Sequence, residues 1–439
     1  MSADIVARGL ASRAQKSAST RALIAAIRTN GALTVGAYRI AANDVPSFTL
    51  SASGANSALN GRASSNPMVT RTDPRLTPLS GVPTLVGSGY PQNLFMWSRG
   101  AYYGAKDGGG APLRSGLYHA WEFSHTGTSF DLPMLCSSAG PVRVLVDGTV
   151  AGTYSNALGD GSLRFLKIDF PASRTRRIAI ETSGPAFNGV NLVNDADCKA
   201  SGRDFPLITV IGDSFVEPTG VSLGALGEAA VMGRALGCNT AVAGVGGSGL
   251  LVTGGNNSAG FPKTTWQNAT RLLDLTLGGV VSDQTGAAAS PALGVVMLSL
   301  NDPGTSANWG GAATAQEAVA KACWVLIDAW TAANPGKPLV FFGPTWPNEN
   351  PTQDSFRVRD GALESCAGAA LKNVWFIDRL EPGPLLRKGA SGATGANSQA
   401  ELYTSNQFGD TTHPNQAGHQ LDGLWMAAQV RRLILTEFA

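Results

Sequence analysis

The stretch 207-LITVIGDSF-215 decides how the rest of the chain is read. Leu207–Ile211 is a nearly continuous apolar run that ends in Gly212-Asp213-Ser214, residue types suited to a turn. A strand apolar on both faces belongs in a sheet covered on both sides. Downstream, the runs Thr240–Val245, Leu293–Leu300, Leu339–Gly343 and Val374–Asp378 alternate with helical segments Val221–Leu236, Lys263–Leu277, Ala312–Ala333, Phe356–Ala370 and Gln416–Phe438. Five buried strands separated by helices predict an α/β unit over residues 206–439, with a mostly parallel sheet and helices on both faces. Sites in such sheets lie beyond the carboxyl ends of the strands, where the strand order reverses. Ser214 ends the first strand and is expected there.

Upstream the periodicity changes. Between about residues 81 and 195 the segments GLYHAWEFSH, TSFDLPMLCS, PVRVLVDGTVAGTYS, LRFLKIDFP and RRIAIETS alternate with period two between turn residues, which predicts a β-sandwich. Asp147-Gly148 is the expected hairpin turn before Thr149-Val150. Residues 1–80 read as an amphipathic helix carrying Ile5, Val6, Leu10, Leu23, Ile24 and Ile27, then short extended and linker-like pieces. That segment is a candidate for docking on the later units or for assembly of a homo-oligomer. Residues 191–206, polar and ending in proline, read as a connector.

Composition narrows the functions. In 439 residues, Lys+Arg 33 and Asp+Glu 31 give a net charge of +2, so there is no broad basic face for a nucleic acid backbone. The apolar runs are too short to span a bilayer, and the first thirty residues lack the apolar core of a secretory signal. The five cysteines are scattered without a C-x-x-C pair, which argues against a disulfide framework or a structural zinc site. Only four histidines, His119, His125, His413 and His419, are available to a mechanism that needs an imidazole.

A serine hydroxyl needs a base to take its proton, and that base needs a third group to orient it. Gly-Asp-Ser alone does not establish this, since Asp213 or Ser214 also suits a helix N-cap. His119 and His125 fall in the expected sandwich, leaving GDTTHPNQAGHQLDG near the end of the chain. There Asp410 precedes His413 by three residues, within reach of its ring in a turn, while His419 reads as a helix-surface or packing residue. Ala243–Gly249 after the second strand and Ser299-Leu300-Asn301-Asp302 after the third offer backbone N–H groups and the Asn301 amide to a substrate oxygen. The glycine run also suits a tight turn or a phosphate loop, although it lacks the lysine of a P-loop.

Taken in order, GDSF (212–215), AGVGGSG (243–249), LSLND (298–302) and DTTH (410–413) resemble the four blocks of the SGNH (GDSL-type) hydrolase superfamily. The resemblance covers the C-terminal half of the chain and implies a flavodoxin-like three-layer fold. It implies Ser214 as nucleophile, His413 as base and acid, Asp410 as its orienter, and Ser214 N–H, Gly247 N–H and Asn301 as the oxyanion hole. Two positions depart from the family pattern. Val242 stands where the second block often has asparagine, which leaves the choice between Gly246 and Gly247 open, and Ser299 replaces the usual glycine of the third block. A sandwich followed by such a unit is similar in plan to carbohydrate esterase family 2 and related deacetylases.

The resemblance therefore implies a serine esterase that removes small acyl groups, chiefly acetyl, from an acylated carbohydrate, with no metal or organic cofactor. Asp213, Gly246, Trp309 and Trp346 are the residues expected near substrate, and Trp97, Tyr102, Tyr103, Tyr118 and Trp121 are further aromatic platforms to weigh against core packing. Two rivals remain: a lipase or thioesterase for longer acyl chains, and a phage tail or receptor-binding component carrying an esterase unit.

Overall fold

The computed structural model describes residues 18–29, 40–64, 66–70, 73–80, 84–85, 95–96, 119–136, 139–183, 185–187, 189–217, 219–253, 265–277, 290–302, 306–344, 353–380 and 412–437. Helix α1 (Ala18–Thr29) leads into an antiparallel sheet whose main strands are β1 (Ser47–Leu50), β2 (His119–Leu135), β3 (Gly140–Val146), β4 (Thr149–Asn156) and β5 (Leu163–Thr182). Strand β5 pairs with β1, β2 and β3, so the short extended piece expected at SFTL joins the sheet. The β3–β4 hairpin turns at Asp147-Gly148, both at positive φ (52° and 90°), as its sequence required.

Two pairs of expected strands merge. The described part of GLYHAWEFSH, from His119, and TSFDLPML share the continuous β2, and LRFLKIDFP and RRIAIET form β5. The β2–β5 register shifts between Gly127 and Ser129. Phe123 and Phe130 would stand roughly 23 Å apart on a straight strand, yet their ring centroids are 5.4 Å apart. Strand β2 therefore bends sharply, and residues from both of its halves share one core.

The two faces of this sheet bury different things. Val142, Val144, Val146, Ile178 and Ile180 point into the sheet's own core. Ala120, Leu145 and Ala179 instead join the core of the C-terminal unit. Glu181, 1% exposed, sits between Arg143 and Arg234 at this junction, with Arg234 Nη1 2.7 Å from its carboxylate. Burial raises its pKa, but the two guanidiniums outweigh burial and hold the carboxyl below its ordinary value.

The C-terminal sheet contains β6 (Leu207–Gly212), β7 (Asn239–Gly244), β8 (Leu293–Met297), β9 (Leu339–Phe342) and β10 (Val374–Ile377). All neighbours are parallel, in the order β7-β6-β8-β9-β10, the doubly wound order expected of a flavodoxin-like unit. Alternate residues divide between two cores. Val210, Val295 and Val340 meet α1, α2 (Glu228–Leu236) and α6 (Gln416–Glu437) on one face. Ile211, Val296 and Phe341 meet α3 (Ala269–Leu277), α4 (Ala315–Ala333) and α5 (Gln353–Gly368) on the other. Leu23 and Ile27 of α1 share the first core with Met426, Val430 and Ile434 of α6, so the N-terminal helix docks on the last one.

All five cysteines are buried and free. No helix among the described residues is long and apolar enough to cross a membrane.

Helix α4 provides a stability test. Trp330 is fully buried, with its Nε1–H donating to the Lys337 carbonyl at 3.1 Å, whereas Val325 is 38% exposed. Denaturant unfolding should show Trp330→Ala costing about 3–5 kcal/mol. Val325→Ala should stay within about 0.5 kcal/mol of the parent.

Candidate active site

The strand order reverses beside β6, and the loops leaving β6, β7 and β8 meet there. Gly212 and Gly244 are paired across β6 and β7 at the last step of the register. A Cβ at Gly244 would collide with the backbone of Val216 and Glu217, so the two loops can cross only where this side chain is missing. Ser214 stands half-buried on the first loop. Its Oγ lies 2.7 Å from Nε2 of His413, 199 residues later in the chain. His413 immediately precedes α6, whose first turn is held by Asn415: its Oδ1 accepts from Ala417 N–H at 3.0 Å and Gly418 N–H at 3.1 Å. The His413 ring also rests 5.3 Å, centroid to centroid, from Phe215.

The second loop supplies backbone donors. Gly246 N–H donates to the Glu217 carboxylate. Among the described residues, neither Ser214 N–H nor Gly247 N–H meets an acceptor. Asn301 lies beside them, and its amide nitrogen donates to the Ser248 carbonyl at 3.2 Å while standing 3.4 Å from Asp213 Oδ2. The second distance is at the limit of a hydrogen bond. A hydroxyl in contact with an imidazole, next to two unmatched N–H groups and a carboxamide, is an arrangement able to support nucleophilic attack on an ester or amide carbonyl.

Three buried carboxylates tie the loops together. Asp213 accepts from Phe215 N–H at 3.0 Å and from Ser299 Oγ–H at 2.7 Å. Asp302 accepts from Leu250 and Leu251 N–H, each at 2.8 Å. Glu217 accepts from Gly246. Burial raises all three, pushing Glu217 and Asp302 up to about 7. Arg271 of α3, itself buried, donates to the carbonyls of Gly212 at 3.2 Å and Ala243 at 2.8 Å, joining the carboxyl ends of β6 and β7.

Of the residues expected from sequence, Ser214, His413, Asp213, Gly246, Gly247 and Asn301 are gathered here. Asp410 and Trp346 lie outside the described residues, as do Trp97, Tyr102, Tyr103 and Tyr118. Trp309 is half-buried against the α3–α5 core. Trp121 is 1% exposed and packs edge-on to Phe187 at 4.9 Å, so it is a core residue and not a surface platform. The departure at Ser299 is chemically useful, because its hydroxyl donates to Asp213 and accepts from Asn301 N–H at 2.9 Å. Glu217 and Arg271 were not anticipated. The available signal was a second acid, at position 217, on the loop that already carries Asp213.

His419 is a packing residue. It is 0% exposed, its Nε2 donates to the Thr219 carbonyl at 2.9 Å, and its Nδ1 lies 3.4 Å from Glu228. Among the described residues, no group of three or more His, Cys, Asp or Glu is placed to hold a metal ion.

No family model matches the chain, and no curated protein matches it in sequence. Solved structures do match. The salicylyl-acyltransferase SsfX3 from a tetracycline biosynthetic pathway superposes with a TM-score of 0.53 at 14% identity, covering 84% of this chain and 96% of its own. A family two carbohydrate esterase from Cellvibrio japonicus gives 0.51 at 13% identity, covering 89% and 99%. Its counterpart from Clostridium thermocellum, in complex with cellohexaose, gives 0.50 at 16% identity, covering 77% and 99%. The class defined by fold and site is thus a three-layer α/β unit with a serine–histidine pair at the sheet's switch point. Its fold is shared with the acyltransferase and the family two carbohydrate esterases, and the likeness to these structures extends over nearly their whole lengths.

The environment of His419 sets its titration. Burial pushes the ring down to about 4 from its ordinary 6.5. The neutral ring's contribution to stability is therefore complete above about pH 6.5 and is lost as pH falls towards 4. Ring ¹⁵N resonances at about pH 5.5 should show His419 neutral with its proton on Nε2. Protonation near 6.5 would contradict this environment.

Proposed function

We propose that this protein is a serine esterase that removes a small acyl group, foremost acetyl, from a carbohydrate. The observation that carries the proposal is the 2.7 Å contact between Ser214 Oγ and His413 Nε2, beside the unmatched N–H groups of Ser214 and Gly247. Ser214 Oγ attacks the ester carbonyl while its proton passes to His413 Nε2. The carbonyl electron pair moves onto oxygen, where Ser214 N–H, Gly247 N–H and the Asn301 amide receive it. Asn301 retains its bond to Ser248 and turns its weaker contact, the 3.4 Å approach to Asp213, towards the oxyanion. Collapse breaks the bond to the sugar oxygen, which leaves with the proton from His413. Water then repeats the sequence at the acyl-enzyme. For Nε2 to accept a proton, Nδ1 must carry one, and Asp410 is proposed to hold it there. No step calls for a metal or organic cofactor.

Support for a carbohydrate substrate comes from the likeness to family two carbohydrate esterases, which extends over the antiparallel sheet as well as the α/β unit. In this reading the N-terminal sheet is a jelly-roll-like sandwich flanking the site, and its sharply bent β2 supports that form. The acyltransferase likeness favours one variation: the same acyl-enzyme can pass its acyl group to an alcohol instead of water.

Ser214→Ala and His413→Ala should each lower kcat for p-nitrophenyl acetate by at least about 10³-fold, and Asp410→Asn by less than Ser214→Ala. Circular dichroism should remain unchanged. Retention of most activity in Ser214→Ala would refute the assignment. A chain-length series should favour acetate over octanoate, with the reverse order indicating a lipase or thioesterase. Release of acetate from acetylated polysaccharides should exceed formation of acylated alcohol when both acceptors are supplied.

A further inference from the structure

Building on that reading, we infer that Glu217 is a positioning residue for the oxyanion hole: its carboxylate fixes the Gly246 peptide and thereby aims Gly247 N–H at the reacting oxygen. The turn Val245-Gly246-Gly247-Ser248 is held on both sides of the Gly247 N–H. On the near side, Gly246 N–H is bound by Glu217. On the far side, Ser248 N–H donates to the Val245 carbonyl at 3.1 Å, with the Ser248 hydroxyl on the same oxygen at 2.6 Å. Trp266 Nε1–H then donates to that hydroxyl at 2.9 Å. The intervening Gly247 adopts φ +69°, a conformation that places the turn in the left-handed region.

Glu217 is suited to this task by position. It is 8% exposed and follows Ser214 by three residues on the nucleophile loop, and its own N–H closes a turn onto the Asp213 carbonyl at 2.9 Å. A single side chain thus couples the loop carrying the nucleophile to the loop carrying the second donor. The charges facing it are Asp213 on its own loop and Arg271 from α3. A buried carboxylate bound by a backbone N–H is a stronger tether than a neutral acceptor, whereas an alanine would leave Gly246 N–H without a partner.

The test compares Glu217→Ala and Glu217→Gln with the parent protein, using p-nitrophenyl acetate kinetics and hydrogen exchange of the 244–250 segment. Glu217→Ala should lower kcat by about 10²-fold, the scale of losing one oxyanion donor, with KM within about threefold. Its 244–250 amides should exchange faster. Glu217→Gln, which keeps an acceptor in place, should recover most of the exchange protection and at least about tenfold of the lost kcat. An alanine variant with kcat within threefold of the parent, or with unchanged exchange, overturns the inference. Failure of the esterase reading is separable, because it would appear as activity insensitive to Ser214→Ala, while the exchange measurement still reports whether Glu217 holds the loop.

Discussion

A carboxylate taken out of water must find donors in the protein, and this requirement organises the end of the parallel sheet. Asp213, Glu217 and Asp302 are all more than nine-tenths buried. Unmatched, each would carry a desolvation cost of several kcal/mol. Their acceptors are met by N–H groups and hydroxyls from other positions on the same three loops: Phe215, Ser299, Gly246, Leu250 and Leu251. The Ser214 loop, the glycine turn and the Asn301 loop are therefore connected by buried carboxyl groups. Removing these carboxyl groups would leave the same strands in place and the loops without a reason to share one geometry.

The strands themselves are placed by an ordinary division of apolar residues. Alternate side chains of β6, β8 and β9 enter two separate cores, which is possible only when helices cover both faces. One of those cores extends beyond its own unit. Leu145 and Ala179 of the antiparallel sheet and Leu23 and Ile27 of α1 belong to it, so the N-terminal segments are packed into the support of the parallel sheet. The Arg143–Glu181–Arg234 group adds orientation at that junction, because a nearly inaccessible carboxylate held by two guanidiniums tolerates few alternative placements.

Much of this was legible from residues alone. The five parallel strands and their helices follow from apolar runs of strand length between segments of helical period, and their ends shift by a few residues at most, except at α2 and α3, which start six or seven residues later than expected. The serine, the histidine, the second-loop glycines and Asn301 were legible because chemistry restricts residue type at strand ends. Less legible was the antiparallel sheet. Period-two patterns around Gly127 read as two strands, since a bend within one strand has the same pattern as a turn between two. Leu145 broke its alternation because its face is covered by another unit, which local sequence does not record. Glu217 was passed over because a single acid carries no periodic signal, and its partner, a backbone N–H, has no sequence signature at all.

The two histidines of the last block show how environment assigns a role that composition leaves open. His419 points Nε2 at a carbonyl, which can only accept, so Nε2 must carry the ring proton. Its Nδ1 faces Glu228, whose carboxyl burial pushes up to about 7, and both side chains are fully enclosed. The ring's free lone pair is therefore on Nδ1, which faces the enclosed Glu228 and no hydroxyl, so this imidazole is not placed to take a proton from Ser214. His413 points Nε2 at a hydroxyl instead, a group that both donates and accepts, and the surface beside it is open enough for Ser214 to remain half-exposed. Thr219 N–H in turn donates to the Ser214 carbonyl at 3.1 Å, so the buried histidine reaches Ser214 through the backbone of its loop. In the proposed reaction the His413 imidazole takes the proton, while that of His419 holds the loop that carries Ser214.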